Sequence, residues 1–122
     1  MPVVGIGVDL VDVARFERAL DRTPRLRERL FTPDERATGG RDRPSRSLAG
    51  RFAAKEALIK ALGDSWAMGW HDMVVVGDER GKPSMRLLGA AERAAAELGV
   101  RRVQVSMSHD AGMAIAVVVA ED

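Results

Sequence analysis

The amino-acid sequence predicts an α+β domain, with a largely antiparallel sheet packed against a long central helix, and three observations carry that expectation. Short runs rich in Val and Ile at 1–8, 73–76, 103–108 and 113–120 read as strands. Longer stretches between them carry helix periodicity and helix caps. The later strands arrive as hairpin pairs, which favours antiparallel pairing over a strand–helix alternation. With 122 residues, the chain fits a single domain over 1–122, because one hydrophobic core is usual at this size.

Each element has a local cause. The first strand, 1–8, ends at Asp9. Asp12 caps a helix reaching Leu20 or Arg22, since Val13, Phe16 and Leu20 share a face and Pro24 disfavours continuation. Thr32, Pro33, Asp34 and Glu35 spell a capping box with proline at the first helical position, predicting a short helix that stops at Gly39 and Gly40. The stretch 39–46, rich in Gly, Arg and Pro, reads as loop. A long helix follows, from near Ser45 or Ser47 to near Gly63. Two strands, 73–76 and 84–88, are expected to turn at 78–83. An alanine-rich helix over 90–98 ends at Gly99, and a four-residue turn, 109–112, joins the last two strands.

Composition narrows the function. Lys plus Arg number 19 against 18 for Asp plus Glu, so bulk attraction to nucleic acid or membrane is not expected. The chain has no cysteine, which excludes disulfides and thiolate zinc sites. The apolar run at 3–8 is too short to span a bilayer and lacks the flanks of a signal peptide, so the expected location is the cytoplasm.

Three constellations carry chemistry. Gly5 and Gly7 mimic the start of a dinucleotide fingerprint, but the third glycine is missing and both sit inside a strand. What remains there is Asp9, either a turn residue or a ligand. On the long helix, at about 100° per residue, Glu56 falls between Phe52 and Ile59 with Lys60 one turn on. The plain alternative is a solvated Glu56–Lys60 pair at i, i+4. Together, Asp9 and Glu56 match the one or two protein carboxylates that magnesium takes while leaving places for water and phosphates, and Lys60 adds a point charge for phosphate. The third constellation is 103–110. Alternation there puts Val103, Val105 and Met107 on one side and Ser106 and Ser108 on the other, with His109 and Asp110 at the turn. A Ser–His–Asp hydrolase is disfavoured, because adjacent strand residues point to opposite faces.

These residues resemble the holo-acyl-carrier-protein synthases, the small 4′-phosphopantetheinyl transferases. The resemblance rests on Gly5-Ile6-Gly7-Val8-Asp9-Leu10-Val11, Arg51-Phe52-Ala53-Ala54-Lys55-Glu56-Ala57 with Lys60, Gly81-Lys82-Pro83, and Val105-Ser106-Met107-Ser108-His109. It implies that Asp9 and Glu56 hold Mg2+ against the coenzyme A pyrophosphate and that Lys60 contacts the same phosphates. It also implies a homotrimer with active sites between subunits, catalytic roles for His109 and Asp110, and a coenzyme A set that includes Lys82, Pro83, Ser106 and His109. The turn Asp110-Ala111-Gly112 departs from many relatives.

The expected reaction is attack of a carrier-protein serine on the β-phosphorus of coenzyme A, releasing adenosine 3′,5′-bisphosphate. Water on the metal, Glu56 and His109 are three candidate bases. Arg41, Arg43, Arg46 and Arg51 suit a nucleotide 3′-phosphate, since guanidinium forks match phosphate oxygens. Arg15, Arg18 and Arg22 recur at three and four residues, making a basic stripe on the first helix that the resemblance assigns to docking of an acidic acyl carrier protein. Two rival classes stand beside this. A metal-dependent phosphohydrolase would use the same carboxylates with water as nucleophile. A noncatalytic RNA-binding module would need an aromatic stacking platform, which the sequence lacks.

Overall fold

The computed structural model describes residues 2–63, 66–77 and 79–122. Strand β1 (Val3–Asp12) leads into helices α1 (Val13–Arg22), α2 (Leu26–Leu30) and α3 (Pro33–Arg36). A short ribbon, β2 (Ala37–Thr38) with β3 (Arg41–Asp42), precedes the long helix α4 (Ser45–Leu62). A 3₁₀ turn (Trp70–Asp72), the hairpin β4 (Met73–Gly77) and β5 (Pro83–Leu87), helix α5 (Gly89–Glu97), and the hairpin β6 (Arg102–Asp110) and β7 (Met113–Glu121) complete the chain.

The main sheet has the order β1-β7-β6, antiparallel throughout, with Asp9 opposite Ala116 and Ala116 opposite Met107. The expected α+β class with antiparallel pairing is therefore found, as three separate sheets among the described residues rather than one broad sheet. Helix α4 lies across the inner face of this sheet. It can come close because the facing residues are small: Ala53, Ala57 and Ala61 on the helix, Ala114, Ala116 and Ala120 on β7, all buried. Gly5 and Gly7 on β1 extend that logic. A Cβ on either would overlap a carbonyl oxygen of α4, of Ala61 and Ala57 respectively, so only glycine lets strand and helix touch backbone to backbone.

The core forms two clusters that share Val11 and Trp70 at their margins. One fills the space between α4, the sheet and β4. The other packs Phe16 and Leu20 of α1 against Leu30, Phe31, Leu48 and Ala49. Apolar residues on both sides of α4 serve the two clusters separately.

Several local expectations change. Strand β1 runs to Asp12, so Asp9 sits within the ladder instead of at its end. The last hairpin turns on two residues, Ala111 and Gly112, at φ 51° and 73°. Two left-handed residues match the strand twist of a tight hairpin, so His109 and Asp110 belong to β6 rather than to a four-residue turn. The short helix after Thr32 stops at Arg36, because the chain pairs with itself around Gly39 and Gly40 to form the ribbon inside the stretch expected as loop. Helix α2 was not expected; at five residues it is too short for periodicity to register. In the expected 78–83 turn, position 78 lies outside the described residues.

A buried ion pair ties the middle of the chain together. Lys55 Nζ lies 2.7 Å from Glu35 Oε1, with both side chains at most 1% exposed. The ammonium also donates to the carbonyls of Leu30 (2.6 Å) and Trp70 (3.0 Å), so its three protons are all used. Glu35 in turn accepts from the amides of Val75 and Thr32. Burial pushes the Lys55 ammonium below its ordinary pKa, and the hydrogen-bonded Glu35 carboxylate pushes it back up.

Candidate active site

The close seating of α4 on β1 brings three of the expected residues together. Asp9 points inward from β1, and Lys60 reaches across from α4 to donate to its Oδ1 (3.1 Å) and to the carbonyl of Val8 (2.9 Å). The ion pair of Lys60 is thus with Asp9 on the neighbouring strand, rather than with Glu56 one helical turn back. Glu56 lines the same groove as Asp9. Burial raises the Glu56 pKa above its ordinary value, and the charge of Asp9 adds to the rise while Lys60 opposes it.

A carboxylate held in this state carries a cost that a cation removes. The proton is bound more tightly by folded than by unfolded Glu56, so its stabilising effect is complete below the unfolded pKa and is lost as pH rises through the raised folded value. In chelator at neutral pH, Glu56→Gln is therefore expected to raise the thermal midpoint by a few degrees at most, an effect that shrinks in acid. A midpoint lowered at neutral pH would show that Glu56 is held by stabilising partners instead.

The groove that opens from Asp9 and Glu56 has a volume of about 580 Å³. Its floor is an aromatic row from three elements: Phe16 stacks on Phe52 at 5.2 Å between ring centroids, and Phe52 meets Trp70 at 5.5 Å. Leu26 and Leu30 close one wall, and Arg15 and Arg29 stand at the rim. Of the expected basic stripe, Arg15 reaches this rim, while Arg18 and Arg22 are exposed farther along α1. Arg29 and the aromatic row were not foreseen. The Arg25–Arg29 spacing of four residues was the available signal, whereas the row is built from residues 16, 52 and 70 and has no local signature.

A second cavity, of about 370 Å³, lies beside the other flank of α4 and is lined by Arg43, Arg51, Gly81, Pro83 and Met107, among others. The Nε atoms of Arg36, Arg43 and Arg51 are buried there or nearby without a hydrogen-bond partner among the described residues. Arg51 donates through Nη1 to Ser47 Oγ (3.0 Å). Burial, and then the charge of Arg43, push the Arg51 pKa below its ordinary value, with Glu35 opposing. Buried donors left unpaired are costly, and an anion is the group that would satisfy them. Lys82 is exposed at the adjoining turn and Arg41 is exposed on β3.

The remaining candidates stand apart. His109 Nε2 lies 3.1 Å from the Arg46 carbonyl, an arrangement in which Nε2 carries the proton and donates. His109, Asp110 and Arg46 line a crevice of about 200 Å³ with Val13 and Gly112. Neither Asp9 nor Glu56 lines it: β1 and β6 are opposite edges of the sheet, and α4 runs between them. Ser106 faces the outer side of the sheet, away from α4. Within one chain, then, the expected site is divided.

A magnesium ion fits the first part. Among the described residues no third His, Asp or Glu joins Asp9 and Glu56. Two carboxylates, one with its pKa raised by burial and then by the charge of the other, suit a hard cation that completes its shell with water and phosphate oxygens.

A profile of the 4′-phosphopantetheinyl transferase superfamily matches residues 5–118. The chain belongs to this superfamily. It is 59% identical over 117 residues to the holo-[acyl-carrier-protein] synthase of Clavibacter michiganensis subsp. michiganensis, a match covering 96% of this chain and 94% of that one. Among solved structures, it is similar to the holo-[acyl-carrier-protein] synthase of Neisseria meningitidis, with TM-score 0.87 and 33% identity over 99% of this chain and 100% of that one. It is similar also to the Helicobacter pylori synthase in complex with coenzyme A, with TM-score 0.81 and 33% identity over 95% and 99% of the two chains. The resemblance read from the four motifs is borne out, and so is the assignment as an enzyme of this superfamily.

Proposed function

We propose that this protein transfers 4′-phosphopantetheine from coenzyme A to a serine of apo acyl carrier protein, with Mg2+ required, giving holo carrier protein and adenosine 3′,5′-bisphosphate. The pairing of Asp9 and Glu56 in one groove, with Lys60 at Asp9, carries this reading. The fold neighbour from Helicobacter pylori is a complex with coenzyme A, which supports that substrate.

The serine oxygen forms a bond to the β-phosphorus as its hydroxyl proton passes to water in the groove or to the Glu56 carboxylate, the bond from that phosphorus to the bridging oxygen breaks, and the electron pair leaves with the nucleotide. Asp9 and Glu56 hold the metal, which when bound supplies charge neutralisation for the pyrophosphate. Lys60 offers its ammonium to the same phosphates. Arg43 and Arg51, with unpaired Nε atoms in one cavity, take the 3′-phosphate, joined by Arg46. Lys82, Pro83 and Ser106 complete the coenzyme A set. His109 acts as a binding donor to coenzyme A held by a neighbouring subunit, with Asp110 beside it, because phosphoryl transfer depends chiefly on positioning and charge.

The assembly is a homotrimer. On the outer side of the sheet, Val4, Ile6, Val8 and Leu10 of β1 and Ile115 of β7 are exposed, Ile6 by 67%. Such a contiguous apolar face asks for a protein partner, and a second copy would also bring His109 to the divided site. The enzyme works in the cytoplasm as one domain over 1–122.

The carrier docks on Arg15, Arg18 and Arg22, with Arg15 at the groove rim leading its serine to the carboxylates. Arg15→Glu with Arg22→Glu is expected to raise the KM for carrier protein about tenfold or more at low salt and to leave that for coenzyme A within about twofold. Equal changes in both would remove the stripe from docking. The test of the whole assignment is intact-mass analysis of apo carrier protein after incubation with enzyme, coenzyme A and Mg2+. A gain equal to phosphopantetheine supports it. Release of phosphate with no gain in carrier mass would select a phosphohydrolase.

A further inference from the structure

The Lys55–Glu35 pair takes no part in the chemistry just described, yet it touches the groove from behind. Lys55 immediately precedes Glu56 on α4, and its ammonium holds the carbonyls of Leu30 and Trp70, whose residues line the groove that starts at Asp9 and Glu56. Leu30 closes a helix of five residues and Trp70 opens a 3₁₀ turn of three. Neither segment is long enough to hold its own shape, so their places depend on ties to the rest of the fold. The ammonium is such a tie, and Glu35 orients it while also gripping the amide of Val75 in the middle of β4.

We propose that Lys55, oriented by Glu35, is a positioning residue for transfer: it fixes the Leu30 wall and the Trp70 end of the floor of the groove against the turn of α4 that carries Glu56. This rests on the transferase assignment. The carbonyls need an ammonium between them, and a neutral side chain that merely fills the space cannot gather both.

The distinguishing variant is Lys55→Met with Glu35→Gln. Removing one charge strands the other in the core, whereas neutralising both relieves that cost, so the double variant is expected to melt above Lys55→Met alone. Activity is expected not to follow. With coenzyme A, Mg2+ and apo carrier protein, kcat should stay at least tenfold below wild type while the KM for coenzyme A remains within twofold. Recovery of kcat to within twofold of wild type along with the melting point would overturn the proposal and leave the pair a purely structural device. If the double variant does not fold, Lys55→Gln is compared with Val105→Ala, a buried change on β6, at temperatures where each is fully folded. A kcat loss confined to Lys55→Gln supports positioning, and no loss in Lys55→Gln overturns it. Wild type in the same assay separates the two levels, since failure of wild type to modify the carrier would remove the transferase assignment itself.

Discussion

Asp9→Ala and Glu56→Gln are each expected to lower transfer by about a thousandfold or more at saturating substrates, while thermal unfolding stays cooperative. Both residues stand on a well-packed strand–helix contact, but neither side chain fills the core, so the loss belongs to chemistry rather than folding. Chelation should silence the wild type to the same extent. The dependence on pH follows from the sign of the Glu56 shift. Protonated Glu56 cannot serve as an anionic ligand, and burial beside Asp9 raises its pKa, so activity should fall on acidification at a higher pH than an ordinary glutamate would give. Millimolar magnesium competes with the proton and should move that fall to lower pH. Steady-state rates measured from mildly acidic to mildly basic pH at two magnesium concentrations check this, and full activity of either variant in chelator would remove the metal assignment.

The second large effect is expected from subunits that are each nearly inactive at limiting coenzyme A. Asp9→Ala has lost the carboxylate half of the site and His109→Ala the half across α4. If every site combines the groove of one copy with His109 of the next, trimers reassembled from an equal mixture regain about a quarter of wild-type activity at limiting coenzyme A, since one in four neighbour pairs has both intact halves. Each parent alone stays near background. Ile6→Glu, on the exposed apolar face of β1, should prevent the mixture from working by preventing assembly, which sedimentation reads directly. No recovery on mixing, with assembly intact, would place both residues in the same chain's site or deny His109 a role.

What could be read from the sequence was what neighbouring residues decide. Thr32, Pro33 and Glu35 announce a helix start because the capping bonds span three residues, and the structure makes both of them. Asp12 caps α1 for the same reason. Glu35 shows where such reading stops. Its role as partner of Lys55 and acceptor for Val75 joins positions 20 and 40 residues away, and nothing local distinguishes it from an ordinary capping glutamate. The carboxylates were singled out by position on strand and helix, but their placement on one groove rather than on separate faces required the packing of α4 on β1. The separation of His109 from them likewise follows from strand order, which spacing along the chain does not encode.

Gly5 and Gly7 have a further meaning in this light. The reach from Lys60 to Asp9 spans two elements held apart by backbone alone, so the two glycines act as a gauge that sets the gap between the halves of the groove. Any side chain at position 7 would push α4 outward and draw Lys60 and Glu56 away from Asp9 together. Tolerance at that position is therefore governed by the geometry of the groove as much as by folding, although Gly7 has no side chain to place in it.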